Sequence, residues 1–273
     1  MSKDGNIEHT LAIDAQTLTL NVPLRLMEFA LREKKTQQFK LYLYLKFHSS
    51  GKVLLSTQFK TQVALDIHLS IRRINELLQE LKKINWLGYN YKTRMYYVRG
   101  FNTVCQLHKF NAKHAFEISK DWITQIKEFC LISYIAYILV NRRWRDRMEK
   151  KLDKNGRSWL GQKNTSPFQS QYDLFDSNEF SKFMVPSPFL GRQLKMSIST
   201  ISALKKKAVA TGYLEVRENF KCISENPDIA CAINQYRRSC PDIEGKLSWQ
   251  DEKLFYHSSD SFKTHITFKN RYL

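Results

Sequence analysis

Apolar positions along this chain follow a helical period for long stretches and a strand period for short ones, with polar breaks between. The clearest stripe is Ile71, Ile74, Leu77, Leu78, Leu81 and Ile84, on one side of a helix. Ser70 stands in front of it, where a hydroxyl can accept an orphan backbone N–H as an N-cap. The same pattern returns without a gap from Ser197 to Leu214. Ser70 falls on Ser197, Ile74 on Ile201, Leu77 on Leu204, Leu81 on Ala208, Trp86 on Tyr213 and Leu87 on Leu214. Literal identity is low; a cap, an amphipathic helix and a turn into an aromatic-aliphatic pair are what repeats.

The surrounding patterns supply further elements. Thr17 to Val22 reads as a short strand, and Pro23 starts a helix over Leu24–Lys34 with Leu24, Met27 and Leu31 on one side. Thr36 to His48 fits both an alternating strand and a helix face, and its place ahead of the next elements, rather than its own period, makes it a helix. Ser49-Ser50-Gly51 is a turn, and Lys52–Leu55 is short and extended. Ser56 caps a helix through Asp66 whose apolar positions are Phe59, Val63 and Leu65, and His68-Leu69 breaks it. After Trp86 the run LGYNYKTRMYYVRGF predicts two strands around a basic tip, Lys92-Thr93-Arg94.

In the second copy, Ser119 is expected to open a long helix to about Lys151. Residues 152–180 are polar and read as an inserted loop. Pro188–Leu194 is a short helix, Ser197 or Ser199 caps the next, and a strand ends near Phe220. Residues 224–250 read as irregular. Lys253–Tyr256 and His265–Phe268 read as strands around Ser258-Ser259-Asp260-Ser261, which either complete a second ribbon or form a separate C-terminal hairpin.

Helix, short strand, helix, turn, capped helix and two-stranded ribbon is an order that resembles a winged helix-turn-helix, over roughly residues 36–101 and again over roughly 119–223. The resemblance implies an α+β chain, mainly α, with two winged-helix domains in tandem, an inserted loop and a C-terminal β-hairpin. Its parts are a lead-in over residues 1–35, a first domain over 36–110 and a second over 111–273. The architecture is similar to that of iteron-plasmid replication initiators, whose two winged-helix units clamp successive grooves.

The resemblance directs the third helix of each unit into the major groove, N-terminal end first. In the first copy the outward face then holds Ser70, Arg72, Arg73, Asn75, Glu76 and Gln79. Arg grips guanine bidentately, Asn or Gln grips adenine, and Glu accepts from cytosine, so this face suits base discrimination. The same residues are equally ordinary for a solvated helix, with Arg73 and Glu76 paired at i,i+3. The second copy offers Ser199, Thr200, Ser202, Ala203 and Lys206, with Lys205 and Lys207 adding charge, and is expected to give affinity more than readout. Wing-tip Lys92 and Arg94, with Arg99 behind them, are backbone or minor-groove candidates. So are Arg142, Arg143 and Arg145 in the basic run Asn141–Lys151 with Arg147, Lys150 and Lys151; cations there also suit a helix C-terminus.

The chain has 273 residues, 44 Lys+Arg against 26 Asp+Glu, and a formal net charge of +18. That charge biases partners toward polyanions, and the expected partner is double-stranded DNA. The apolar run Phe129–Val140 is too short for a bilayer and reads as a buried helix, covered by the first domain, the lead-in or a second subunit in a homodimer. A polar start and five Cys without close pairs fit a reduced, cytoplasmic compartment, and Cys222, Cys231 and Cys240 lack metal-ligand spacing. Phosphate-loop, HExxH and GxSxG patterns are missing, so no catalytic residue, cofactor, metal, membrane or small-molecule ligand is expected. Replication initiation or transcriptional regulation on a plasmid, phage or other mobile element suits these features. The alternatives are a protein-interaction scaffold and an RNA reader using Tyr89, Tyr91, Tyr96 and Tyr97.

Overall fold

The computed structural model describes residues 19–49, 51–155, 185–217, 220–224, 246–250, 253–257, 261–266 and 268–270, with residues 228 and 233. The chain is mixed α+β and mainly helical. The lead-in forms β1 (Thr19–Pro23) and α1 (Leu24–Arg32), with Pro23 as N-cap, where its missing N–H costs nothing. Next come α2 (Thr36–His48), β2 (Lys52–Val53), α3 (Thr57–Ile67), α4 (Ile71–Lys83), β3 (Leu87–Asn90) and β4 (Met95–Val98). The three-stranded order β2-β4-β3 closes the first ribbon, with Leu87 opposite Val98.

α2 is a helix despite its alternation because it is buried nearly all round. Phe39, Leu41, Tyr42, Leu43, Tyr44 and Leu45 are all inaccessible. When every face is covered, period carries no information, and the strand-like alternation is an accident of composition. Tyr44 Oη donates to Asp66 Oδ2 at 2.6 Å and Tyr42 Oη to the Arg99 carbonyl at 2.7 Å, tying α2 to α3 and to the ribbon base. Lys40 Nζ donates to the Ile67 carbonyl at 2.8 Å, at the C-terminal end of α3.

A linking segment comes after the ribbon: α5 (Phe101–Leu107) and β5 (His114–Ser119). Ser119 ends a strand and leads into a 3-10 turn, Lys120–Ile123, so it does not open the long helix. That helix, α6, runs Ile126–Asn155, four residues into the stretch expected as loop; the rest of that loop lies outside the described residues. α7 (Ser187–Leu194), α8 (Ile198–Ala210) and β6 (Leu214–Arg217) complete the second helical unit.

The C-terminal strands differ from expectation. β7 is Phe220–Ser224, β8 Lys246–Gln250, β9 Lys253–His257, β10 Ser261–Thr264 and β11 Phe268–Asn270. Residues 246–250 are thus a strand where irregular chain was expected, and Ser261 starts a strand rather than sitting in a turn. β10 pairs with β6, Thr264 opposite Leu214, as β4 pairs with β3. β9 pairs with β7 and β8, and β11 with β5, so the last two strands form no hairpin with each other. The reason is burial: Phe262 is inaccessible against the body of the second unit, and fixes β10 there.

β1 pairs with β5, and α1 lies against α2, α6 and α7, so the lead-in bridges the two helical units. The apolar stretch of α6 is covered from within the chain by α1, α2, α8 and β10. Trp86 is fully buried, ringed by Phe29, Phe39 and Tyr42 at 6.1, 6.2 and 5.0 Å. Its Nε1 donates to His108 Nε2 at 2.8 Å, and the imidazole is stacked on Phe110 at 5.2 Å. No described helix is long and apolar enough to cross a membrane.

This packing sets two measurable stabilities. A Cβ on Gly191 would stand 2.8 Å from the Met196 carbonyl oxygen, whereas one on Gly88 would find ordinary contact at 3.8 Å. Gly191→Ala is expected to cost about 1–3 kcal/mol in urea unfolding, and Gly88→Ala under about 0.5 kcal/mol. Burial pushes the His48, His108 and His114 imidazoles below their ordinary value of 6.5. The unfolded chain therefore takes up protons first. Their contribution is fully present above about pH 6.5 and is lost as pH falls toward the depressed folded values. The urea midpoint should fall between about pH 7 and pH 5, and a flat profile would contradict the lowered imidazole values.

Candidate nucleic-acid interface

The repeat read from the sequence extends further in three dimensions. α3 ends in His68 at φ 52°, and α7 ends in Lys195 at φ 52°, both left-handed. The next residues, Leu69 and Met196, are partly buried against the core, and their N–H groups donate to the carbonyls of Ala64 and Gly191 at 3.1 and 2.9 Å. Then Ser70 Oγ accepts from the Arg73 N–H at 3.2 Å, and Ser197 Oγ from the Thr200 N–H at 3.1 Å. Ser197, not Ser199, is therefore the cap; Ser199 Oγ lies 2.9 Å from it. The exits match too, with Asn85 at φ 63° and Gly212 at φ 75° before β3 and β6. Only Gly enters that region without strain, with Asn the next most tolerant residue, so the pair at this turn is chemically sensible.

Each unit thus buries one helix face and turns the other out. Ile74, Leu77, Leu78 and Leu81 are buried on α4, and Ile201, Leu204 and Ala208 on α8. Arg72, Asn75, Glu76 and Gln79 are exposed, as are Ser199, Thr200, Ala203, Lys206 and Lys207, with Ser202 half-buried. Two apolar assignments change. Leu65 is 64% exposed while Val63 and Ile67 point inward, and Ile71 is 41% exposed. In both cases the position lies on the helical stripe only at its margin or end, past the reach of the facing helix.

Arg73, Glu76 and Glu80 on α4 are committed to one another. Arg73 Nε donates to Gln37 Oε1 at 2.9 Å, and its Nη1 lies 3.0 Å from Glu76 and 3.3 Å from Glu80. Gln38 Nε2 donates to the same Glu80 at 2.5 Å. The i,i+3 pairing with Glu76 is present, and the guanidinium also braces α4 to α2. Arg72 points away with its side chain 90% exposed, 3.3 Å from Glu76. The Arg73 hydrogen bond holds the Glu76 carboxyl below the usual carboxylate range.

The helices of the second unit lie in a stretch without such counter-charge, the nearest carboxylate along the chain being Glu215 on β6, which pairs with Lys263 and His265. Between Pro186 and Leu214 there is no Asp or Glu, against Arg192, Lys195, Lys205, Lys206 and Lys207. The matching stretch Phe59–Leu87 has Lys60, Arg72, Arg73, Lys82 and Lys83, offset by Asp66, Glu76 and Glu80. Lys205 must be subtracted from the exposed set. It is buried, donates to the Val185 carbonyl at 2.9 Å, and sits 4.4 Å from the Phe262 ring. It occupies the place of Leu78 in the first copy, which is on the buried stripe, and periodicity alone would have found it.

Elsewhere the basic candidates divide. Lys92 and Arg94 are exposed at the ribbon tip, where Asn90 Oδ1 accepts from the Lys92 N–H at 2.8 Å. Arg99 is not behind them; its Nη2 donates to Asn85 Oδ1 at 2.7 Å, at the ribbon base. Arg142 lies over the Phe189 ring at 5.6 Å, beside the second unit, and Arg145 is exposed. The side chains of Arg143, Arg147, Lys150 and Lys151, and Cys231 and Cys240, lie outside the described residues. Tyr89 and Tyr96 pack on each other at 4.7 Å, and Tyr91 is exposed. Among the described residues no group of three or more His, Cys, Asp or Glu side chains is arranged to hold a metal.

No protein-family model matches the chain, and neither a curated protein nor a solved structure shows significant similarity to it.

The two arginines should separate in a stability assay. Arg73→Ala removes a partner from Gln37, Glu76 and Glu80 and is expected to cost about 0.5–1.5 kcal/mol after allowance for solvent screening. Arg72→Ala should change urea unfolding by under about 0.5 kcal/mol. Equal effects would mean that the bracing is not formed in solution.

Proposed function

We propose that this chain binds double-stranded DNA sequence-specifically through two winged-helix units, as a replication initiator or transcriptional regulator of a plasmid, phage or other mobile element. The observation that carries the reading is a single arrangement built twice: a left-handed residue, a half-buried apolar residue, a serine cap and an amphipathic helix, 127 positions apart. A helix so presented, N-terminal end outward and followed by a two-stranded ribbon, is the geometry with which winged helices enter the major groove. The net charge of +18 supports a polyanionic partner.

The two helices have different work in this reading. Around α8, Arg192, Lys195, Lys206 and Lys207 face solvent with no carboxylate in that stretch, which suits phosphate contact. On α4, Asn75, Gln79 and Arg72 supply side chains able to distinguish adenine and guanine. Arg73 orients α4 against α2 and assists from within, rather than reaching a base itself. Lys92 and Arg94 extend the contact along the backbone from the ribbon tip.

Gel shifts at rising salt test this directly. The full chain is expected to retard a duplex pool, with log affinity falling linearly against log salt. Lys206→Ala and Lys92→Ala should each lower the slope by about one and weaken all sequences alike, whereas Gln79→Ala should change the preferred sequence. Absence of any shift at low salt would favour a protein scaffold, and preference for single-stranded RNA an RNA reader. Selection of bound fragments separates the two biological roles: clustered direct repeats at an origin mark initiation, and promoter inverted repeats mark regulation.

A further inference from the structure

Among the described residues, eight large hydrophobic side chains are exposed, and two of them occupy the same place in the repeat: Ile71 at 41% and Ile198 at 53%. Each is the first residue of its helix, directly after the serine cap. Neither contributes to the core as its helix-mates do: Ile74 and Ile201 are 1% and 0% exposed. One exposed isoleucine is ordinary on any protein. These two stand at equivalent positions in copies whose outward residues otherwise share almost no identity.

From these observations we infer that Ile71 and Ile198 each contact the C5-methyl group of a thymine, giving the two units a common base preference. The inference rests on the DNA-binding reading and adds the group recognised. Major-groove thymine presents a single methyl that apolar side chains read, and an isoleucine is of matching size. A single isoleucine is by itself too small for a protein–protein patch. The exposed residues next to each isoleucine along the chain are polar or cationic: Ser70 and Arg72 about Ile71, and Ser197, Ser199 and Lys195 about Ile198. This is complementary to a methyl set among phosphates, not to an apolar partner surface.

The test begins with duplexes enriched from a randomised pool by the full chain. Each thymine of the enriched site is then replaced singly by deoxyuridine, which removes only the methyl. Two positions are expected to lose about three- to fivefold in affinity, the worth of one buried methyl. Ile71→Ala should abolish sensitivity at one of them and Ile198→Ala at the other. Both side chains are exposed, so the variants should keep the wild-type unfolding midpoint, which circular dichroism checks. An enriched site indifferent to deoxyuridine everywhere, or sensitivity that survives both substitutions, overturns the inference while leaving DNA binding intact. Failure to enrich any duplex overturns both. Altered self-association of the alanine variants in sedimentation, with unchanged DNA affinity, would assign the isoleucines to a protein contact instead.

Discussion

The turn between two helices is the constraint on which the rest depends. A helix cannot end and another begin within three residues unless the backbone reverses through a left-handed conformation and the new helix finds a partner for its first N–H groups. His68 and Ser70 do this in the first unit, Lys195 and Ser197 in the second. Leu69 and Met196 anchor the reversal in the core. Once the turn is fixed, the stripe on α4 or α8 must face inward, and the polar residues interleaved with it must face out. The close backbone approach at Gly191 belongs to the same turn.

Two units built alike have diverged electrically. In the first, Glu76 and Glu80 neutralise Arg73 and shield part of the outward face, leaving uncharged amides and Arg72 as its most available groups. In the second, hydroxyls and lysines occupy a stretch of chain that contains no Asp or Glu. A surface of the first kind loses much by meeting the wrong partner, because its polar groups need matched acceptors. A surface of the second kind is tolerant. Under the DNA-binding reading proposed above, discrimination and adhesion fall to different copies of one scaffold.

Much of this was legible in the sequence, for physical reasons. Serine caps, the amphipathic stripes and the ribbon after Trp86 are local signals, and they fold where the pattern puts them. What the sequence hid is non-local. The partners of β10 and β11 lie about fifty and one hundred and fifty residues away in β6 and β5, and no turn signal specifies them. Ser119 has the residue type of a cap but is held in β5 by pairing with β1. Arg73 reads as a solvent-facing recognition residue until Gln37, from another helix, is seen at 2.9 Å. Lys205, by contrast, was within reach of the pattern, because the buried stripe of α8 runs through it as it runs through Leu78 on α4. Charge type was visible from the sequence; which charges were already satisfied was not.

The two-helix claim is tested most directly by hydroxyl-radical footprinting of the full chain on an enriched duplex. Two separate protected blocks are expected, one erased by Lys206→Glu with Lys207→Glu and the other by Arg72→Glu. A single short block, or loss of both blocks together from either change, would contradict independent docking of α4 and α8.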